Sequence, residues 1–451
     1  MKKIKSIIAM LMLIILASSC EKKLDLAPQQ DLAENLALSS DANVKTVMVS
    51  AYAALRGHDP AGRDACILRN SELAGGTGEI SWRGTYTGPR EIFNHQVIAA
   101  NGEITIQWLQ SYECINICNN VLSALDVVKK ADRGKIEGEA LFLRSLMYFD
   151  LVRFYAKTYE PGTTNSQLGV PLVLTPTTVI GSGNNVGRNT VEEVYAKVIT
   201  DLVRAVSLLP GENGYYATIG AANALLARVY LQKGDYAKAR DAADLVIGSD
   251  LYQLTPTYAG EFNNIEYSTE DIFAVKYTAA DGINLMTEYW SGVDQGGRDG
   301  DIEILPAHLN LYDPSDERLA LFWDYGSGVM LSGKWNNQYG LINMFRLAEM
   351  YLIRAECNQR LGTAVGDTPV NDYNMTHERA GLPAAISVTL GDILLERRLE
   401  LAHEGFKLHD VKRLKLNVGT FPYNDPKLVF PIPDREIKAN SALKDQQNPG
   451  Y

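Results

Sequence analysis

The stretch from Ala221 to Gly248 constrains the fold of this chain more than any other. Ala222, Leu225, Leu226 and Val229 recur at helical spacing, Gly234 is placed to end that helix, and Asp235 is placed to cap a second one carrying Tyr236, Ala239, Ala243 and Val246. The spacing predicts a two-helix hairpin. A single hairpin cannot bury its apolar face alone, so it requires neighbours stacked against it.

The order Leu226, Ala227, Tyr230, Gly234-Asp235-Tyr236 and Ala239 is similar to a tetratricopeptide repeat, with Asn223 where a Trp is usual. Other segments carry the same period. Val44 to Leu55, Ile104 to Val128, Gly134 to Ala156, Thr190 to Leu209, a run beginning at Met344 and a charged run from Gly391 to Leu416 all read as helices. Thr190 and Glu193 have the spacing of a capping box. The fold expected is mainly α: an α-α superhelix of tetratricopeptide-like helix pairs with long irregular loops and a few short strands.

A chain of 451 residues with 46% hydrophobic content is globular, and a net charge of -11 without a basic face argues against nucleic acid as a partner. Lys2, Lys3 and Lys5 precede an apolar run from Ile7 to Ala17, too short for a membrane span, and Ser18-Ser19-Cys20 follows. Small residues leading to a Cys are similar to a bacterial lipoprotein cleavage site. Residues 1–19 then form a signal peptide, Cys20 becomes the acylated, membrane-anchoring residue, and 20–38 a lipidated tether. The remaining cysteines show no disulfide pattern. Cys114 and Cys118 lie one helical turn apart without a matching Cys/His pair, so they read as buried small hydrophobes and not as a metal site.

The residues 39–451 read as one domain, with a helical frame at 39–56, 103–248 and 343–416 and an extended tail at 417–451. Two loop regions, 57–102 and 249–342, interrupt the period and are the candidates for ligand contact. Four of the five tryptophans fall in them. That placement fits either an exposed platform or a satellite core beneath the loops.

Several motifs approach a chemistry and miss it. His403-Glu404 opens like a zinc-protease helix, but Lys407 stands where the second His is required. Gly328 to Lys334 is close to a phosphate-binding loop, yet Trp335 replaces the magnesium-binding hydroxyl. Asp294, Asp299 and Asp301 lack the alternation of a calcium loop. Glu396 with Glu400, and Arg397 with Glu404, read as side-chain contacts on or between helices.

The C-terminal third then carries a set of specific matches in order: Arg346-Leu347-Ala348-Glu349, Leu352 to Glu356, Arg379 to Leu382, Glu396 to Leu401 with Glu404-Gly405, Asp410 to Arg413, Phe430 to Pro433 and Asn448 to Tyr451. Ile115-Asn116, Asn119 to Leu122, the Glu139 to Phe149 helix and Gly169 to Leu172 agree with it. By these residues the chain resembles the SusD/RagB family of outer-membrane nutrient-binding lipoproteins. The resemblance implies a non-enzymatic helical scaffold facing the cell exterior. It also implies a partner, a TonB-dependent β-barrel transporter of the SusC type, to which oligomeric nutrients are delivered, and no cofactor.

Sugar capture needs flat aromatic faces for C–H groups and polar side chains at their edges for hydroxyls. Trp82, Arg83 and Tyr86 from the first loop region, with Tyr289, Trp290, Asp294 and Arg298 from the second, supply those types and form the expected ligand-binding set. An oligopeptide is the alternative ligand, for which Asn70, Glu72 and Arg298 would matter more. A surface glycoside hydrolase, which needs two carboxylates at a defined separation, and a purely protein-binding adaptor are more distant alternatives.

Overall fold

Helical hairpins stack in chain order through the molecule. In the computed structural model, which describes residues 34–56, 63–178 and 181–451, Asp41–Arg56 packs on Gly102–Ser123, Lys130–Tyr155 on Val191–Val206, Ile219–Lys233 on Tyr236–Ile247, and Leu347–Leu361 on Pro369–Arg379. Each pair also packs on the next, which builds the mainly α superhelix. Cys20, the expected signal peptide before it and most of the expected tether after it lie outside the described residues.

The local chemistry explains the hairpins. Gly234 ends its helix with φ +75°, which a Cβ would strain, and the Asp235 side chain accepts the N–H of Lys238 to start the next. The capping box at Thr190 and Glu193 forms with both reciprocal bonds. Phe142, Leu143, Met147, Leu151 and Phe154 are at most 1% exposed and form the stripe of Lys130–Tyr155 around which the frame packs. Each buried side chain of this size contributes roughly 1.5–3 kcal/mol. Cys114 and Cys118 are fully buried within the same core.

The frame is interrupted by two insertions, one after Asp41–Arg56 and one after Tyr236–Ile247, and they pair with each other. Strand β1 (Ile80–Trp82), from the first, runs antiparallel to β3 (Ile302–Ile304), from the second, with Trp82 opposite Ile302. The second insertion is closed at its neck by β2 (Asp271–Val275) against β6 (Ile342–Arg346) and carries the hairpin β4 (Phe322–Asp324) with β5 (Met330–Ser332).

Three expectations are corrected here. The first loop region is not irregular throughout, since Arg63–Gly75 and Thr87–Phe93 are helices. The former escapes a hydrophobic-period reading because its inward positions Arg69, Asn70, Ser71 and Glu72 are polar, all at most 4% exposed. Met344 lies in β6, so the helix beyond it begins only at Leu347. The charged run from Gly391 to Leu416 is two helices, Leu390–Glu400 and Lys407–Arg413. It breaks where His403 and Gly405 adopt φ +64° and +84°, and any Cβ at Gly405 would collide with Leu68.

That break aims the charges inward. Arg346 pairs with Glu270 at 2.9 Å, Glu400 at 2.6 Å and Glu404 at 2.7 Å. Arg318 pairs with Asp316 at 2.8 Å and Glu396 at 2.7 Å, and Arg379 joins Glu270 and Glu400. Arg397 reaches Asp410 at 2.8 Å, and Glu349 at 3.8 Å, instead of Glu404. His403-Glu404 and Lys334 thus belong to the frame: Glu404 takes the Lys334 ammonium at 2.6 Å, and Trp335 donates its indole N–H to the His403 carbonyl.

Candidate functional site

The β1–β3 ribbon brings the two loop regions to one face. Trp82 lies 6.0 Å from Tyr289, centroid to centroid, and Tyr289 lies 6.3 Å from Tyr86. The guanidinium of Arg298 sits 3.6 Å above the Tyr86 ring and donates to the Thr85 hydroxyl at 3.0 Å. The Arg83 N–H continues the ribbon by donating to the Asp301 carbonyl at 2.8 Å. Gly84 is what permits the close approach, because a Cβ there would lie 2.5 Å from Trp82 and 2.6 Å from Asp301.

Depth separates these residues into two layers. Trp290 is 0% exposed, Tyr289 3% and Trp82 9%, so they form a satellite core beneath the loops and not a platform. Trp290 packs at a 37° tilt with its centroid 4.7 Å from that of His403, and Trp335 is buried against the same 401–405 turn. Distant sequence supplies the cover: His403 of this turn lies on Trp290, and Trp82 and the Arg69 guanidinium, 4.3 Å from the ring centre, lie on Tyr289. Above this layer Tyr86 is 44% exposed. Arg83, Asp294 and Asp299 are exposed, while Arg298, Trp323 and Tyr325 are half-buried.

Asp301 lies beneath the upper layer, 4% exposed, and is tied to it through Arg298. Arg298 Nε lies 3.1 Å from Asp301 Oδ2, an ion pair, but the alignment is too poor for a hydrogen bond, and neither atom has a hydrogen-bond partner among the described residues. Burial raises the Asp301 and Glu288 carboxyls above their ordinary values, and Arg298 opposes the shift in both. Tyr325 donates to Asp299 Oδ1 at 3.0 Å and takes the Val293 N–H at 3.4 Å, next to Asp294 on the turn Val293–Gln295. Its ring packs on Gly292, and edge-on to Trp323 at 5.7 Å.

The expected set therefore converges, with Arg83, Tyr86 and Arg298 at the surface, Asp294 at its margin, and the other three rings beneath. Trp323, Tyr325 and Asp299 belong to the same face, with Asp301 buried beneath it, and none of the four was in that set; their signal was the aromatic hairpin and the acidic, glycine-rich segment before it. Asn70 and Glu72 do not reach it. Asn70 is fully buried and donates to Gln107 at 3.1 Å, while Glu72 accepts the N–H groups of Gly405 and Lys407. Among the described residues no group of three or more His, Cys, Asp or Glu side chains is arranged to hold a metal ion.

A helical-repeat frame whose insertions build a polar, aromatic face defines a ligand-presenting scaffold, and comparison with known proteins gives it a family. Residues 22–231 match a family described as "Starch-binding associating with outer membrane", and residues 329–451 match the SusD family. The chain belongs to the SusD/RagB family. It is 24% identical to "SusD-like protein P2" of Formosa agariphila, with 100% of both chains covered. A SusD superfamily protein of Bacteroides thetaiotaomicron superposes with TM-score 0.79 at 25% identity, covering 91% of this chain and all of that one. A SusD-like carbohydrate binding protein of Bacteroides vulgatus gives TM-score 0.77 at 23% identity, over 90% of this chain and 97% of that one.

Proposed function

We propose that the protein captures an oligosaccharide at the cell surface without catalysis and delivers it to a SusC-type TonB-dependent transporter. The observation that carries this reading is the Tyr86–Arg298 ledge. One ring face lies under the guanidinium, Tyr86 remains 44% exposed, and the Arg298 side chain that covers it is itself 26% exposed. A sugar places its C–H face on such a ring and its hydroxyls on such edges. Arg83, Asp294, Asp299, Trp323 and Tyr325 extend the ledge, and Trp82, Tyr289 and Trp290 hold it from beneath. The family's description and the relatives named for sugar binding support the ligand class. An oligopeptide gains no support, since two of its three expected contacts, Asn70 and Glu72, are sealed in the frame.

Retention in native gels containing a panel of plant, algal and mucosal polysaccharides tests the reading. At least one should retard the wild type, and Tyr86→Ala and Arg298→Ala should each lose about tenfold in affinity while staying folded. Retention by none of them, together with binding of peptide pools, would sink it. Anchoring through Cys20 is tested by Cys20→Ser, which should abolish palmitate labelling and release the protein from the membrane. Co-purification of the wild type with a large β-barrel tests the transporter partner.

A further inference from the structure

A cavity of about 280 Å³ opens between the helices Leu390–Glu400 and Lys407–Arg413 and is closed by the end of Arg63–Gly75 and the start of β1. No residue of the Tyr86–Arg298 ledge lines it. Its wall is aliphatic, with Leu394, Leu401, Val411 and Leu414 inside, and Leu395 and Leu416 at 40% and 52% exposure. Phe406 is the one phenyl ring among the lining residues, and the Arg397 and Arg228 guanidiniums already lie 5.0 and 4.9 Å from its centre. Its volume is at the low end of the roughly 300–1,000 Å³ of small-molecule sites, enough for one alkyl chain and too small for a two-chain lipid.

Its charge is the reverse of the chain's. In a protein of net charge -11, the lining sets Arg397, Arg398, Lys407 and Arg413 against Glu72, Glu79 and Asp410, and Asp410 is taken up by Arg397 at 2.8 Å and Arg413 at 2.6 Å. Glu79 alone faces two of them: Arg398 at 2.5 Å, and Lys407, with His308 Nδ1 at 3.0 Å on the same carboxylate. Glu72 is turned to the backbone N–H groups of Gly405 and Lys407. At the Glu79 end Arg398 and Lys407 thus share a single ion-paired carboxylate, and the Arg398 side chain is 38% exposed. Two further lining residues, each 2% exposed, have an unpartnered nitrogen among the described residues: Arg397 Nη1 and His403 Nδ1. Buried nitrogens left without partners mark a site that a ligand can complete.

We propose that this groove binds a free single-chain anionic amphiphile, a medium-chain carboxylate being the simplest, with its chain between the leucines and its head group at Arg398 and Lys407. The inference is independent of the sugar site. Titration calorimetry of decanoate, below its micellar concentration, into the detergent-free Cys20→Ser chain tests it. Saturable one-to-one binding is expected, with Arg398→Glu, Arg398→Gln and Leu395→Asp each weakening it at least about tenfold and decyltrimethylammonium binding at least about tenfold more weakly. Arg398 and Leu395 are both partly exposed, so these variants keep the fold, and unchanged polysaccharide retention checks that. Non-saturable heats, equal binding of the cationic chain, wild-type affinity in the folded variants, or Arg398-dependent binding only to phosphatidylglycerol vesicles would overturn it.

Discussion

Charge is dense in two regions of this molecule, and they use it in opposite ways. Around the break between Leu390–Glu400 and Lys407–Arg413, Arg318, Arg346, Glu396, Glu400 and Glu404 have side chains at most 2% exposed, and each meets at least two partners. On the loop face, the Arg83 and Arg298 side chains are 37% and 26% exposed. A buried charge must be saturated by its neighbours, and once saturated it fixes their geometry and has nothing left for a ligand. An exposed charge keeps its water and can exchange that water for a hydroxyl. The most recognisable sequence pattern therefore belongs to the frame, and the ligand-facing residues are few and scattered.

The largest effect should come from opening the buried network. Arg346→Ala would remove the cation that meets Glu270, Glu400 and Glu404 together, leaving the first two to Arg379 and the third to Lys334. Breaking one buried pair costs about 3–5 kcal/mol, so loss of a three-way partner should remove the cooperative transition in denaturant unfolding. A near wild-type midpoint would break the contrast between the regions. Next in size is Trp290→Ala, expected to cost about 3–5 kcal/mol as a cavity in the satellite core. If Trp290→Ala instead leaves the unfolding midpoint in place and abolishes polysaccharide retention, the ring is a ligand contact and the two-layer description fails.

The same contrast explains what the sequence reveals. The Ala221 to Gly248 hairpin and the Thr190 capping box are legible because period and caps are local properties. Helix Arg63–Gly75 is not, because Arg69, Asn70 and Glu72 are inward and are satisfied by partners far along the chain: Glu103, Gln107 and the 405–407 backbone. The break at His403 and Gly405 hides inside a charge pattern that continues at helical spacing. At the site, the residue types and the meeting of the two loop regions can be anticipated, but the depth of Trp82, Tyr289 and Trp290 cannot. Whether a loop ring is a floor or a surface depends on what folds over it, and here that cover includes the 401–405 turn.

Glu72 sharpens the rule for buried charge, because it accepts two backbone N–H groups and is not ion-paired. Burial pushes its carboxyl up to about 7, against the lowering effect of the N–H groups of Lys407 and Gly405. The folded chain therefore holds this proton more tightly than the unfolded one. Its contribution is intact below the ordinary value of 4.5 and is lost progressively as pH rises toward about 7. Glu72→Gln keeps an oxygen for both N–H groups and removes the charge. It should leave stability near wild type at pH 4.5 and raise it by roughly 1–3 kcal/mol at pH 8, since each tenfold difference in proton affinity between folded and unfolded chain is worth about 1.4 kcal/mol. Equal pH dependence in the two proteins would show that a compensating charge reaches Glu72.

The smallest effect expected is the one that defines the loop face. Tyr86 and Arg298 lie in contact at 3.6 Å, and both are solvent-accessible, so neither single substitution to Ala should move the unfolding free energy by more than about 0.5 kcal/mol. Their coupling in stability should likewise be no larger than about 1 kcal/mol, the worth of an exposed cation–π pair. In polysaccharide affinity the pair should behave differently. If the guanidinium holds the ring in its stacking orientation, removing Arg298 already removes most of what Tyr86 contributes, and the double variant should bind little worse than either single one. Strict additivity in affinity would mean that ring and guanidinium meet separate parts of the sugar. A coupling in stability as large as that in binding would assign the pair to the frame, and the boundary between the two regions would then have to be drawn further out, at Tyr325 and Trp323.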